Sequence, residues 1–284
     1  MDLKALDCPT LSAKDREAGE RRVVLIGAEQ AYFRWCRPDT FTMGSPKGEK
    51  GRDNRDNIET QHQVTLTKGF WIMETPVTVG MFMKFLTQNS NFNSNEKKKY
   101  FVWKEGHGGR FIEFSWNAPP SDIIRNSLWP VTCVKWDAAK AFCQWLSDEK
   151  GLKMRLPTEA EWEYACRAGK IKKFDVKLLD EMAWFPYKEK KREIHPVAEK
   201  KPNAWGIYDM LGNVWEWCYD WYEDYSSKSV TDPIGTKDKN WRVLRGGSWA
   251  SEVKHCRPAS RLVRREWYST NYYSFRVVCE CEQQ

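Results

Sequence analysis

The alternation of hydrophobic and polar positions predicts a chain with few helices, short strands and long polar loops. Apolar residues recur at helical spacing after Thr78, in residues 138–150 and after Thr158, where Glu161 completes a capping box. Alternating or wholly apolar runs predict short strands at residues 22–26, 41–43, 63–66, 70–74 and 130–134. With no internal repeat, this pattern favours one α+β unit with short mixed sheets, few helices and many loops.

Composition sets the domain boundary and the class of protein. Residues 1–20 are polar and lack periodicity, which predicts a tail or linker, and residues 21–284 are long enough to bury a substantial core. The net charge of +7 comes mainly from runs that mix Lys with Glu, so we expect solvated loops and no nucleic-acid partner. No apolar run reaches the roughly 18 residues of a membrane span, so no transmembrane segment is expected.

The cysteines and histidines offer no recognisable catalytic or zinc motif. Nine cysteines occur without a C-x-x-C pair, which disfavours a zinc ribbon or a thioredoxin-like site. Most lie among apolar neighbours, as Cys143 does in AFCQWL, and are expected to be small buried hydrophobes. No partner set for Ser-His-Asp chemistry or for a carboxylate pair is visible.

The last fifth of the chain, residues 241–281, combines scaffold and binding chemistry. Residues 242–249 and 275–278 are apolar or glycine-rich and are typical of packed structure. Between them, residues 267–274 read WYSTNYYS. Tyr and Trp give large contact area at low entropy cost, and Ser, Thr and Asn give adaptable hydrogen bonds, so this run is typical of a binding face.

Four segments in order resemble the formylglycine-generating enzyme–sulfatase family. They are TFTMGS at residues 40–45, RLPTEAEWEYACRAG at 155–169, GIYDMLGNVWEW at 206–217, and RVLRGGSW at 242–249 with SFRVV at 274–278. The resemblance implies a loop-rich fold of the C-type lectin class whose C-terminal strands form the functional face. Members of this fold include copper oxidases that make formylglycine, ergothioneine-type sulfoxide synthases, and binding proteins diversified by a retroelement, so the site must decide.

Neither enzymatic alternative has a complete residue set. The family's oxidases hold copper(I) between two thiolates spaced C-x-x-x-x-C after the GGS segment, where this chain has Ser251 and Cys256. Aligning residues 257–261 on the family's R-x-A-x-R instead moves even Cys256 out of the catalytic position. The sulfoxide synthases need three histidines on iron, whereas the four here are isolated in sequence: His62, His107, His195 and His255.

The binding alternative is consistent with the codon chemistry of retroelement diversification. Asn codons randomised at their first two bases can give Tyr, Ser, Thr, Asn, His, Val or Ala, but not Trp, Lys, Glu, Gln or Met. Within the candidate variable region, residues 241–281, the admissible positions are Ala250, Ser251, Val253, His255, Tyr268, Ser269, Thr270, Asn271, Tyr272, Tyr273 and Ser274. Glu252, Lys254, Glu266 and Trp267 are not admissible and are assigned to the scaffold. Ser274 stands where the family generally has Gly before Phe-Arg.

The resemblance also implies a calcium site. Carried over, the ligands are Asp209, the carbonyls of Gly212 and Val214, and Glu216, because oxygen donors of a tight loop suit a hard cation. A capped turn beneath two Trp residues is the structural alternative.

The sequence therefore predicts a non-enzymatic protein that binds a protein or other macromolecular ligand through a diversified C-terminal surface. The alternative is a copper-dependent oxidase acting on a cysteine of a substrate protein. We expect a monomer that requires no cofactor, with calcium as a possible structural ion. Analogy to the family places it at the cell surface, as a lipoprotein whose leader lies outside this chain; a cytoplasmic location is the alternative.

Overall fold

The fold is α+β, with short sheets joined by long loops, as the sequence predicts. The computed structural model describes residues 16–53, 55, 57–89, 98–104, 108–116, 118–121, 123–124, 126–169, 175–187, 192–235 and 241–280. The helices of this part are α1 Val79–Gln88, α2 Trp136–Lys150, α3 Glu159–Arg167 and α4 Val176–Met182, with a 3-10 turn at Val253–His255. The strands are β1 Arg21–Ile26, β2 Glu29–Cys36, β3 Asp39–Met43, β4 His62–Leu66, β5 Phe70–Met73, β6 Lys98–Lys104, β7 Gly108–Phe114, β8 Met154–Arg155, β9 Trp215–Trp221, β10 Val230–Thr231, β11 Arg242–Arg245, β12 Arg261–Arg264, β13 Tyr273–Ser274 and β14 Val278–Glu280.

Local sequence signals mark the starts of helices α1 and α3. The Thr78 side chain accepts a hydrogen bond from the Met81 amide and begins α1. Thr158 and Glu161 form the predicted capping box of α3, with each side chain bonded to the other's backbone N–H. The amphipathic faces of α1 and α2 then pack on the main sheet, where the rings of Phe82 and Phe142 stack 6.0 Å apart.

Both ends of the C-terminal segment are built into sheets. The five-stranded sheet has the order β1-β2-β5-β14-β8, so β14 pairs on both sides with strands from much earlier in the chain. The four-stranded sheet has the order β12-β11-β9-β13, with β13 parallel to β9. Residues 242–249 and 275–278 are buried, which confirms their prediction as scaffold.

Buried arginines hold the C-terminal segment to the rest of the domain. Arg245 pairs with Glu159 and Glu163 of α3, and Arg276 donates to both carboxylate oxygens of Glu216 at 2.6 Å. Removing one partner of a buried pair typically costs about 3–5 kcal/mol, because the other charge is left uncompensated. Much of the arginine charge in this segment is therefore neutralised inside the protein.

One local prediction was wrong. Residues 130–134 form no strand, because Cys133 adopts a left-handed backbone with φ of 59° and only Pro130 forms a bridge, to Thr78. The end of the predicted tail contacts the domain. The Arg16 guanidinium lies over the rings of Trp35 and Trp71, and the Gly19 amide donates to the Trp35 carbonyl. Residues 1–15 of the predicted tail lie outside the described residues.

Candidate functional site

A cleft of about 740 Å³ opens beside the C-terminal segment. One wall is the turn after β11, which carries Ala250, Ser251 and His255, and another is β12. Tyr272 and Tyr273 close the cleft at the end of the aromatic run. The fold thus brings residues 250–255 and 272–273 together, although they lie far apart in sequence.

Seven of the eleven candidate variable residues are partly exposed. They are Ala250, Ser251, Val253, His255, Tyr268, Asn271 and Tyr272. Ala250, Ser251, His255 and Tyr272 line the cleft, and Tyr268 lies beside it in the aromatic run. These seven side chains are therefore partly open to solvent.

The other four candidates are buried, so their assignment to the exposed surface was wrong. Ser269, Thr270, Tyr273 and Ser274 are each at most 4% exposed. Tyr273 and Ser274 form β13, which pairs with Trp215 and Glu216 of β9, and both side chains are buried. Ser274 therefore occupies a buried strand position rather than a surface.

A row of aromatic rings crosses the face. Trp267, Tyr268, Tyr273, Tyr272 and Trp249 follow one another with ring centroids 6.2, 6.1, 5.1 and 6.3 Å apart. Trp267 is 64% exposed, which is unusual for so large an apolar side chain. Codon reasoning assigns Trp267 to the scaffold and so misses it as a contact residue, whereas its place beside Ser and Tyr in WYSTNYYS is the signal that could have found it.

The positions that match the oxidase thiol pair hold a hydroxyl and a buried thiol. The Ser251 hydroxyl accepts hydrogen bonds from the Trp215 indole at 3.0 Å and from the Ser248 amide at 3.1 Å. Cys256 is fully buried, and burial raises the pKa of its thiol to about 12. It lies under Gly247, where a Cβ would come within 2.6 Å of the Cys256 sulfur. No cysteine is among the described residues that line the cleft.

The histidines are dispersed in space as well as in sequence. His62 packs on Tyr225, His195 stacks on Trp184 at 3.5 Å, and His255 lines the cleft. His107 lies outside the described residues. Within the described ranges, no three or more His, Cys, Asp or Glu side chains are grouped so that they could hold a metal ion. The described histidines therefore do not assemble the iron site of a sulfoxide synthase.

The residues implied for calcium form one buried turn. Asp209 is buried, its Oδ1 atom has no hydrogen-bond partner among the described residues, and burial raises its pKa to about 6. Glu216 accepts three N–H bonds, from Arg276 and Trp162, and a carboxylate can accept about four. Asp209 and Glu216 thus place two carboxylates beside the one guanidinium of Arg276, and oxygen donors of this kind suit a hard cation. A calcium ion held by this turn stays a prediction.

Comparison with known proteins decides the family. Residues 35–281 match the family described as the sulfatase-modifying factor enzyme 1-like domain. The chain belongs to this family. It is 35% identical over 200 residues to the formylglycine-generating enzyme of Streptomyces coelicolor, covering 63% of this chain and 59% of that protein. It is also 35% identical over 150 residues to the inactive C-alpha-formylglycine-generating enzyme 2 of Bos taurus, covering 47% and 44%. The chain thus spans less than two thirds of the length of either relative.

Two solved structures share the fold. PvdO from Pseudomonas aeruginosa superposes with a TM-score of 0.75 at 25% identity, covering 93% of this chain and 99% of that one. Treponema denticola variable protein 1 superposes with a TM-score of 0.69 at 24% identity, covering 92% and 99%. Among the described residues, every helix is too short or too polar to cross a membrane.

Proposed function

We propose that this family member is a non-enzymatic binding protein whose C-terminal face contacts a protein or other macromolecular ligand. The observation that carries the proposal is the replacement of the oxidase thiol pair. Where two thiolates would hold copper(I), Ser251 has a hydroxyl held by neighbouring donors, and Cys256 has a buried, protonated thiol. A hydroxyl cannot replace a thiolate as a ligand for this soft ion.

The chemistry of the face supports binding. The aromatic row offers rigid rings with polar tips, and Ser251 and Asn271 add small polar groups at its edge. Such a mixture is enriched in the contact surfaces of binding proteins. The relationship to a protein named as inactive indicates that the family also has members without the oxidase activity.

The second candidate function is the copper-dependent oxidase, which the identity to formylglycine-generating enzymes favours. The deciding experiment is copper(I) titration under reducing conditions against a chromogenic chelator. The wild type should take up no stoichiometric copper. The matched variant Ser251→Cys restores the second thiol and should bind about one ion per chain, lost again in the double variant with Cys256→Ser. Tight copper uptake by the wild type, with oxidation of a cysteine peptide, would refute the non-enzymatic assignment.

We further propose that a retroelement diversifies this face, and the structure sharpens the test. Sequences of the gene from related isolates should vary at the seven exposed positions defined above. They should stay constant at Ser269, Thr270, Tyr273 and Ser274, because these side chains are packed. A near-copy of the segment coding for residues 241–281, differing mainly at adenines and next to a reverse transcriptase, should lie near the gene. Equal variation at buried and exposed positions would refute the mechanism.

A further inference from the structure

The charges that line the cleft are strongly unbalanced. Its basic side chains are Arg52, Arg55, Arg192, Lys254, Arg257, Arg261 and Arg264, whereas its only carboxylates among the described residues are Asp53, Glu59 and Glu252. Each carboxylate is already in an ion pair, with Arg55 at 2.6 Å, Arg257 at 2.7 Å and Lys254 at 3.0 Å respectively. Arg257 and Arg261 are further paired with Glu49 and Glu159, which lie behind the lining, so the positive charge left at the cleft rests mainly on Arg52 and Arg264.

Arg264, at the end of β12, differs from the other arginines of the segment. Arg257 and Arg261 are paired with Glu59 and Glu159, and these pairs fix the loop and strand. Arg264 forms no ion pair among the described residues; its guanidinium donates to the Val263 carbonyl at 2.8 Å and also lies beside the Tyr273 hydroxyl. A half-exposed guanidinium with unused donors at a cleft wall is suited to a planar anion, which it can bind through two parallel bonds.

Tyr273 adds a second donor at the same wall. Its hydroxyl is buried and has no hydrogen-bond partner among the described residues, although the residue lines the cleft. Burial raises the pKa of the phenol, so it stays protonated, and the nearby Arg264 guanidinium opposes that rise. A buried hydroxyl without a partner costs about 1–3 kcal/mol, and a ligand oxygen would recover this free energy.

We propose that the cleft binds a carboxylate side chain of an acidic segment in the protein ligand. This inference rests on the proposed binding function and names the chemistry that the face recognises. Arg264 supplies the cation. When the flexible Arg264 side chain turns toward the ligand, the Tyr273 hydroxyl can donate to the same carboxylate. Tyr272 and Trp215, which also line the cleft, pack against the apolar part of the acidic side chain. A cleft of about 740 Å³ accommodates a few residues of a peptide.

The test uses three fluorescein-labelled peptides of equal length, in which Gly alternates with Glu, Gln or Lys. Fluorescence anisotropy on the whole chain should show binding of the Glu peptide only, weakening as salt is added. Arg264→Gln should weaken that binding about tenfold. The matched control Arg265→Gln should leave it unchanged, because Arg265 is the exposed neighbour that covers the Trp241 ring and does not line the cleft.

Tyr273→Phe separates binding from folding. The change removes only the hydroxyl, so the melting temperature should stay equal or rise while affinity for the Glu peptide falls about threefold. Unchanged affinity in this variant would overturn the two-donor arrangement. Failure of the Glu peptide to bind, or equal binding by Arg264→Gln, would overturn the anion site.

Failure of the anion site can be told apart from failure of the proposed binding function. Equal binding of the Gln and Glu peptides, lost on Tyr272→Ala, would overturn the anion site and leave the binding face intact. Copper uptake by the wild-type chain would overturn the non-enzymatic function whatever the peptides do.

Discussion

Truncation of the adjacent residues Tyr272 and Tyr273 should affect different properties of the protein. Tyr273 is fully buried, whereas Tyr272 is half-exposed at the cleft. Tyr273→Ala removes a ring that meets Trp217 edge-on at 5.6 Å and Tyr272 edge-on at 5.1 Å. We therefore expect Tyr273→Ala to destabilise the fold severely and Tyr272→Ala to impair mainly ligand binding.

The magnitudes follow from burial. Truncating a fully buried aromatic ring to Ala costs about 3–5 kcal/mol, and the two ring contacts place Tyr273 within that range. Its hydroxyl has no hydrogen-bond partner in the part of the chain that the structure describes, so the loss comes from packing. Truncation of Tyr272 should cost about 1–2 kcal/mol, because part of its side chain already faces water. With an unfolding entropy of about 2.1 cal/mol/K per residue, 1 kcal/mol corresponds to about 1.7 °C for a chain of 284 residues.

Differential scanning calorimetry and urea unfolding measure both quantities. Tyr273→Ala should lower the melting temperature by about 5–8 °C and Tyr272→Ala by about 2–3 °C. Tyr273→Phe is the control, since it keeps the ring and removes the unsatisfied hydroxyl. If Tyr272→Ala costs as much as Tyr273→Ala, about 3 kcal/mol or more, the assignment of Tyr272 to the binding face is wrong.

Three further predictions concern the thiol, the cleft histidine and the buried turn. Iodoacetamide at mildly alkaline pH should leave Cys256 unmodified in the native protein but not in urea, because burial keeps the thiol protonated; mass spectrometry showing native alkylation would contradict this. Burial and then Lys254 lower the pKa of His255, so the unfolded chain takes up the proton first and this group's stability contribution is lost as pH falls below about 6.5. The native chain takes up that proton at a lower pH than the unfolded chain, and the added cation should then raise affinity for the Glu peptide in the wild type but not in His255→Gln. Calcium at about 100 times its Kd should stabilise the folded chain by about 2.7 kcal/mol relative to the same buffer with a chelator. Asp209→Asn should abolish this effect. Equal melting temperatures in calcium and in chelator would refute the calcium site.

Local sequence signals determined much of the scaffold. Helices α1 and α3 begin at Thr78 and Thr158, as predicted, because a cap is a contact between residues three positions apart. The ordered family motifs likewise predicted the fold class, and the apolar ends of the C-terminal segment predicted its burial. These features depend on neighbours in sequence or on patterns that span the whole chain.

Only the tertiary structure decided which residues of WYSTNYYS are exposed. The run lacks the alternation that separates buried from exposed positions, so composition alone assigned Tyr273 and Ser274 to the surface. They are buried because β13 pairs with Trp215 and Glu216 of β9, residues distant in sequence. Trp267 lies outside that pairing and stays exposed.

The same limit applies to charge. Arg257, Arg261 and Arg264 look alike in the sequence, and nothing local tells which of them will be neutralised. Glu59 and Glu159 pair with the first two, and these partners lie 198 and 102 residues away. Ion pairs of this kind depend on where distant loops pack. The sequence by itself therefore determined the fold and the buried ends of its C-terminal segment, whereas tertiary packing decided which rings are exposed and which arginine of the cleft wall has no ion pair among the described residues.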